Sequence, residues 1–262
     1  MLGEAKQIYL ATRKRHDQLF NVYVMRPLAA GVVALAARTP VTPNQLTLLN
    51  LAVFVAAAAL FVALPAPAGA LVAVGVLELS YLFDCADGML ARHKGLASKE
   101  GHLFDFFTDE LKATLLAGAL AVRLYRTGGL GLDATFWPAG DPRFLFAGIA
   151  AVLVVASAIS LTNFVRRPEL SGRQTTVEAY YETVNQGAPP SLVARIAGLL
   201  MTFLRFLNHY PSHIWIFTIA GWLDAFFWMY LALNLLYLAK GWLGLVLRFG
   251  RPARAPAPPE GG

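Results

Sequence analysis

Four aspartates, Asp84, Asp87, Asp105 and Asp109, stand close together in an otherwise apolar stretch, in the pattern Asp84-x2-Asp87-Gly88-x2-Ala91-Arg92-x8-Gly101-x3-Asp105-x3-Asp109. Carboxylates are costly at or near a bilayer, so acids inside an apolar helical stretch mark a functional site by default. On a helix, Asp84, Asp87, Gly88 and Ala91 fall on one face, and Gly101, Asp105 and Asp109 fall on one face of the helix that follows. The connection between the two is short, which makes them antiparallel neighbours with their acidic faces turned together. Such a cluster repels itself unless cations are present, and all-oxygen ligation favours Mg²⁺ or Mn²⁺ over zinc. Gly88 and Ala91 leave space for a bulky ligand or another backbone. Arg92 adds a charge and a fork suited to phosphate. Acids, metal, space and arginine together point to a diphosphate substrate, with one carboxylate taking a proton from an attacking hydroxyl. A single aspartate here would read as a solvated helix end held by structural ion pairs; the whole set does not.

The elements that must position these residues are membrane helices. Of 262 residues, 57% are hydrophobic and only 15% charged, where a soluble domain carries roughly 25% charged residues. The mean hydropathy is +0.54. The fold class is therefore all-α integral membrane protein, with six transmembrane helices and an N-terminal interfacial amphipathic helix. The net charge of +6 gathers between apolar segments, which suits an anionic membrane face rather than nucleic acid. The lone Cys85 excludes an intrachain disulfide, and the N-terminus lacks the apolar core of a cleavable signal. Residues 4–23 mix apolar and basic positions as a surface-lying helix would, and Pro27 to Ala37 is too short to span. Thr42 caps the first span, about 46–64, with Pro43 in its first turn. Further spans are expected at about 70–92, 103–124 and 144–165, two more within 192–247, and Ser98 is a cap for the third. Three segments result: 1–40 interfacial, 41–247 catalytic, and 248–262 a disordered tail. Basic residues before the first span, between the second and third, after the fourth and after the sixth place both termini and the acids on the cytoplasmic side.

The motif from Asp84 to Asp109 resembles that of the CDP-alcohol phosphotransferase family at every fixed position, including the eight-residue gap after Arg92. Pro43-Asn44 and Thr47 also resemble the opening of that family's first span, so the likeness covers most of residues 40–124. The resemblance implies six transmembrane helices, a homodimer, dependence on Mg²⁺ or Mn²⁺ with two divalent ions, and displacement of CMP from a CDP-linked alcohol by a second alcohol. Carried over, it implies metal ligation by Asp84, Asp87, Asp105 and Asp109, with Asp109 also the general base. Asp84, Gly88, Ala91 and Arg92 would line the CDP site, with Asn44 and Thr47 close to it and Gly101 permitting close approach of the nucleotide. Cys85 falls at a variable motif position and reads as packing.

Arg166, Arg167 and Arg173 follow the fourth span on the side of the acids and are candidates to bind a phosphorylated acceptor, although positive-inside anchoring accounts for them equally well. The leading expectation is transfer of a phosphatidyl group from CDP-diacylglycerol to a polyol or polyol phosphate in a bacterial or archaeal cell membrane. An alternative moves a polar head group from its CDP ester to a lipid or polyol-phosphate hydroxyl, because the motif recognises CDP rather than what hangs from it. A divalent-cation transporter is the alternative of another class. It would place acids near the middle of several spans rather than at one end of two.

Overall fold

The chain begins its first long helix at a reciprocal cap. The Thr42 side chain accepts from Gln45 N, Gln45 Oε1 accepts from Thr42 N at 2.9 Å, and Pro43 occupies the first turn. In the computed structural model the described residues are 2–13, 17–129, 137–167, 198, 200, 202–204 and 206–249. Every described element is helical: α1 (Leu2–Thr12), a π-helical turn (Asn21–Met25), α2 (Arg26–Ala36), α3 (Pro43–Ala63), α4 (Pro67–His93), α5 (Lys99–Thr127), α6 (Arg143–Arg166), a 3-10 turn (Tyr210–Ser212), α7 (Ile214–Ile219) and α8 (Leu223–Phe249).

Four of these are long and apolar enough to cross a membrane: Pro43–Ala63, Pro67–His93, Arg143–Val165 and Leu223–Leu247. They match the expected first, second, fourth and sixth spans. The expected third span is α5, whose 29 residues reach roughly 40 Å at helical rise. Its hydropathy is lowered by the charges it carries, among them Asp105, Asp109, Lys112 and Arg123. The expected fifth span lies largely outside the described residues, as do most of the loop that follows α6 and the tail beyond Phe249. Its described end breaks at His209 into the 3-10 turn and the short α7.

The helix suggested over residues 4–23 is divided. α1 ends at Thr12, whose hydroxyl donates to Ile8 O at 2.7 Å. Asp17 then serves the next turn, accepting from Gln18 N and Asn21 Nδ2 and pairing with Arg26. A carboxylate with three donors to satisfy is better placed ahead of a helix than within one. α2 packs on α4 through Ala29, Ala30, Val33 and Ala34, all buried.

α3 packs against both α4 and α5, α5 against α6, and α6 against α8. The larger core joins Phe54 and Phe61 of α3 to Leu77, Leu116, Leu120, Phe144, Phe226 and Phe227. A smaller core lies behind the acidic motif: Cys85, Ala86, Met89 and Leu90 of α4 pack on Ile8, Met25, Ala29 and Val33. One face of the motif helix is thus clamped by the N-terminal elements while the other carries Asp84. At the far end of α5, the buried Arg123 guanidinium donates to the carbonyls of Phe61, Leu64, Pro65 and Ala66 and closes the C-terminus of α3.

Candidate functional site

The acids gather where the C-terminal half of α4 meets the N-terminal half of α5. The turn between these helices, from Lys94 to Ser98, is held at several points. Gly95 takes the left-handed conformation, φ 67°, which glycine adopts at little cost. Lys94 Nζ donates to Thr39 O and Val41 O at 2.8 Å, tying the turn to the α2–α3 connection. Ser98 caps α5 by accepting from Gly101 N at 3.0 Å.

Asp84, Asp105 and Asp109 each offer a carboxylate oxygen, and the three oxygens lie within 4.8 Å of one another. Asp87 does not join that group. It is 3% exposed, and its Oδ2 accepts from Thr47 Oγ1 of α3 at 2.7 Å. Thr47 is therefore spent on a carboxylate rather than displayed to the site. Asn44 comes close to Gly101: a Cβ on that glycine would lie 3.2 Å from Asn44 Oδ1 and 3.2 Å from Ser98 Oγ. The glycine lets the starts of α3 and α5 approach. Gly88 lies beneath the guanidinium of Arg92, where a Cβ would meet Nη1 at 3.6 Å. Arg92 itself is exposed and Ala91 half-buried, so the arginine fork sits over the acidic face of α4, accessible from outside.

Of the acceptor candidates, only the Arg167 side chain falls among the described residues. Arg173 lies outside the described residues, as does the side chain of Arg166. Arg167 is exposed and lines an open cleft of about 460 Å³ between α5 and α6, with Phe107, Glu110, Asn163 and Phe164 among its walls. None of the four aspartates lines that cleft. Glu110 Oε1 accepts from Asn163 Nδ2 there at 2.8 Å.

Three residues that sequence pattern does not single out support the acids. Lys112, 3% exposed, reaches Asp84 Oδ1 at 2.5 Å and Asp109 Oδ1 at 2.6 Å. Asn50 Nδ2 donates to the same Asp84 oxygen at 2.8 Å, and Ser80 Oγ donates to Asn50 Oδ1 at 2.6 Å. Lys112 carries a signal even so: a base three residues after Asp109 shares its helix face. A second polar chain starts one turn before Asp84. Tyr81 OH donates to Asn21 Oδ1 at 2.6 Å and meets His209 Nε2 at 2.8 Å, and His209 Nδ1 meets Ser212 Oγ at 2.6 Å. This chain ties the N-terminal segment and the turn before α7 to the helix that carries the acids.

The donor set consists of hard oxygens carried by two helices that both pack on α3, which fits Mg²⁺ or Mn²⁺. A membrane-spanning helical bundle with these carboxylates and an exposed arginine at facing helix ends is built as an integral-membrane enzyme handling a phosphate ester. The family model for CDP-alcohol phosphatidyltransferase matches residues 40–230, and the chain belongs to that family. It is a phosphotransferase of a family that uses CDP-alcohol donors and alcohol acceptors in membranes and depends on divalent cations. No match to a curated protein was found.

Proposed function

We propose that the protein transfers a phosphatidyl group from CDP-diacylglycerol to the hydroxyl of a polyol or polyol phosphate and releases CMP. The observation that carries this reading is the meeting of Asp84, Asp105 and Asp109 within 4.8 Å in the family motif. Asp84, Asp105 and Asp109 would hold Mg²⁺ or Mn²⁺, with Asp87 completing the set for two ions. Bound there, the metal would supply positive charge to offset that of the diphosphate and of the departing CMP.

The chain's own residues do the rest. Arg92, exposed beside Gly88, pairs with a phosphate oxygen. Gly88, Ala91 and Gly101 let the nucleotide approach the helix ends, Asn44 stands at the border of that space, and Thr47 lies behind it on Asp87. Asp109, whose side chain is 49% exposed, takes the proton from the acceptor hydroxyl as its oxygen bonds to the lipid-bearing phosphorus. The bond from that phosphorus to the CMP oxygen breaks in the same step. Arg166, Arg167 and Arg173 are the acceptor-side cations of this reading. The active site faces the cytoplasm, as the basic connections favour, and the enzyme works as a homodimer, as the family resemblance implies.

The test is CMP release by the detergent-solubilised protein from CDP-diacylglycerol and from soluble CDP-alcohols, with Mg²⁺ or Mn²⁺ and a panel of polyols and polyol phosphates. CMP release from CDP-diacylglycerol with at least one acceptor is expected. Turnover only from a soluble CDP-alcohol would move the assignment to head-group transfer. Asp109→Asn loses a ligand oxygen and the base together and is expected to lower turnover by about 10³-fold or more. A variant that kept a tenth of wild-type turnover would exclude Asp109 from both roles.

A further inference from the structure

We propose that Lys112 is the resident counter-cation of the acid cluster: it holds Asp84 to Asp109, and its fixed charge opposes a divalent ion and so lowers the affinity of the site for metal. The inference rests on the reading above that these acids bind a metal ion. Lys112 leaves α5 one turn after Asp109 and reaches across to α4. Its ammonium lies 2.5 Å from Asp84 Oδ1 and 2.6 Å from Asp109 Oδ1. The residue is 3% exposed, so water contributes little to its solvation, and these two carboxylates are the partners that make its burial tolerable. Asn50 donates to the same Asp84 oxygen at 2.8 Å, so Asp84 is held from two directions.

Three carboxylates within 4.8 Å repel one another, and a single ammonium between two of them removes part of that repulsion without a metal. The same ammonium stands within a few ångströms of any ion the three oxygens take up. At that range, and away from bulk water, charges of like sign interact strongly. Lys112 thus keeps the cluster assembled between turnovers and weakens the hold on metal. An ordinary structural lysine would make metal binding worse when removed. A counter-cation makes it better.

The experiment uses the full chain in detergent, stripped with EDTA and titrated with Mn²⁺ alone, free Mn²⁺ being read by electron paramagnetic resonance. Lys112→Met and Lys112→Gln remove the charge, Gln retaining a hydrogen-bond donor, and Lys112→Arg keeps it. Both neutral variants are expected to bind Mn²⁺ about tenfold more tightly than wild type, with the arginine variant within about threefold of wild type. The metal-free neutral variants are also expected to melt below wild type, with the gap closing at saturating Mn²⁺. Unchanged or weaker Mn²⁺ binding in the neutral variants overturns the proposal, as it would if Lys112 instead served a substrate phosphate. Failure of both neutral variants to fold at saturating Mn²⁺ overturns it as well, because a divalent ion should replace the missing charge. Absence of Mn²⁺ binding in wild type would instead sink the metal-site reading itself.

Discussion

Thr47 and Asp87 meet at 2.7 Å between α3 and α4, and the contact decides how that carboxylate can act. A buried acid needs donors to fix its orientation, and partners that orient a metal ligand typically matter by about 10- to 100-fold in affinity or activity. Thr47→Val keeps the shape of the side chain and deletes the donor. It is expected to lower CMP release by about 10- to 100-fold at a nearly unchanged melting temperature. Activity equal to wild type across a Mg²⁺ titration would show that the hydroxyl has no such part. The convergence of Asp84, Asp105 and Asp109 is legible in the motif spacing alone, because a period of 3.6 places them on facing stripes. The bonds of Thr47 to Asp87, and of Asn50 and Lys112 to Asp84, are not legible there. Their partners lie 40, 34 and 28 residues away, and nothing in local periodicity reports how one helix is rotated against another.

At the scale of elements, caps and apolar runs place most helices within a few residues, since Thr42, Ser98 and the prolines act locally. The N-terminal segment departs from its amphipathic pattern because Asp17 is committed to Arg26 and Asn21, a tertiary demand that such a pattern does not show. Arg123 stands near the end of α5 opposite the acids, where a positive charge runs against the positive-inside asymmetry. In the fold it is buried, and it caps four carbonyls at the end of α3. Arg123→Met leaves those carbonyls without their charged donor and should cost about 3 kcal/mol, since bonds to a charged group contribute about 1.5–3 each and buried orphans are penalised. The expected result is a clearly lower melting temperature in detergent. Specific activity at low temperature should persist, because Arg123 lies roughly 21 Å along α5 from Asp109. An unchanged melting temperature would mean that water or lipid head groups satisfy that turn.

At the scale of the whole molecule, charge is distributed between the two ends of the bundle in different ways. At the end opposite the acids, Arg123 and Arg126 bond to α3 carbonyls, and Arg143 pairs with Asp141 at 2.6 Å while lying 4.9 Å from the Trp137 ring centroid. These three bases have local structural work, so they count little against an orientation set by the bases at the other end, where Arg92, Lys99 and Arg167 stand exposed. Positive residues in short connections favour the cytoplasmic side, and we propose on that ground that the α4–α5 turn lies inside and residues 137–142 outside. Cys85 is the sole cysteine and is buried, so the chain is suited to single-reporter labelling. Leu96, in the α4–α5 turn, and Ala139, at the opposite end, are both exposed, and Leu96→Cys and Ala139→Cys would each carry one accessible thiol. In intact cells a membrane-impermeant maleimide is expected to modify the Ala139 reporter and to spare the Leu96 reporter until the membrane is opened. The reverse pattern would turn the bundle over and place the acids on the outer face. Labelling of both reporters before permeabilisation would exclude a single orientation.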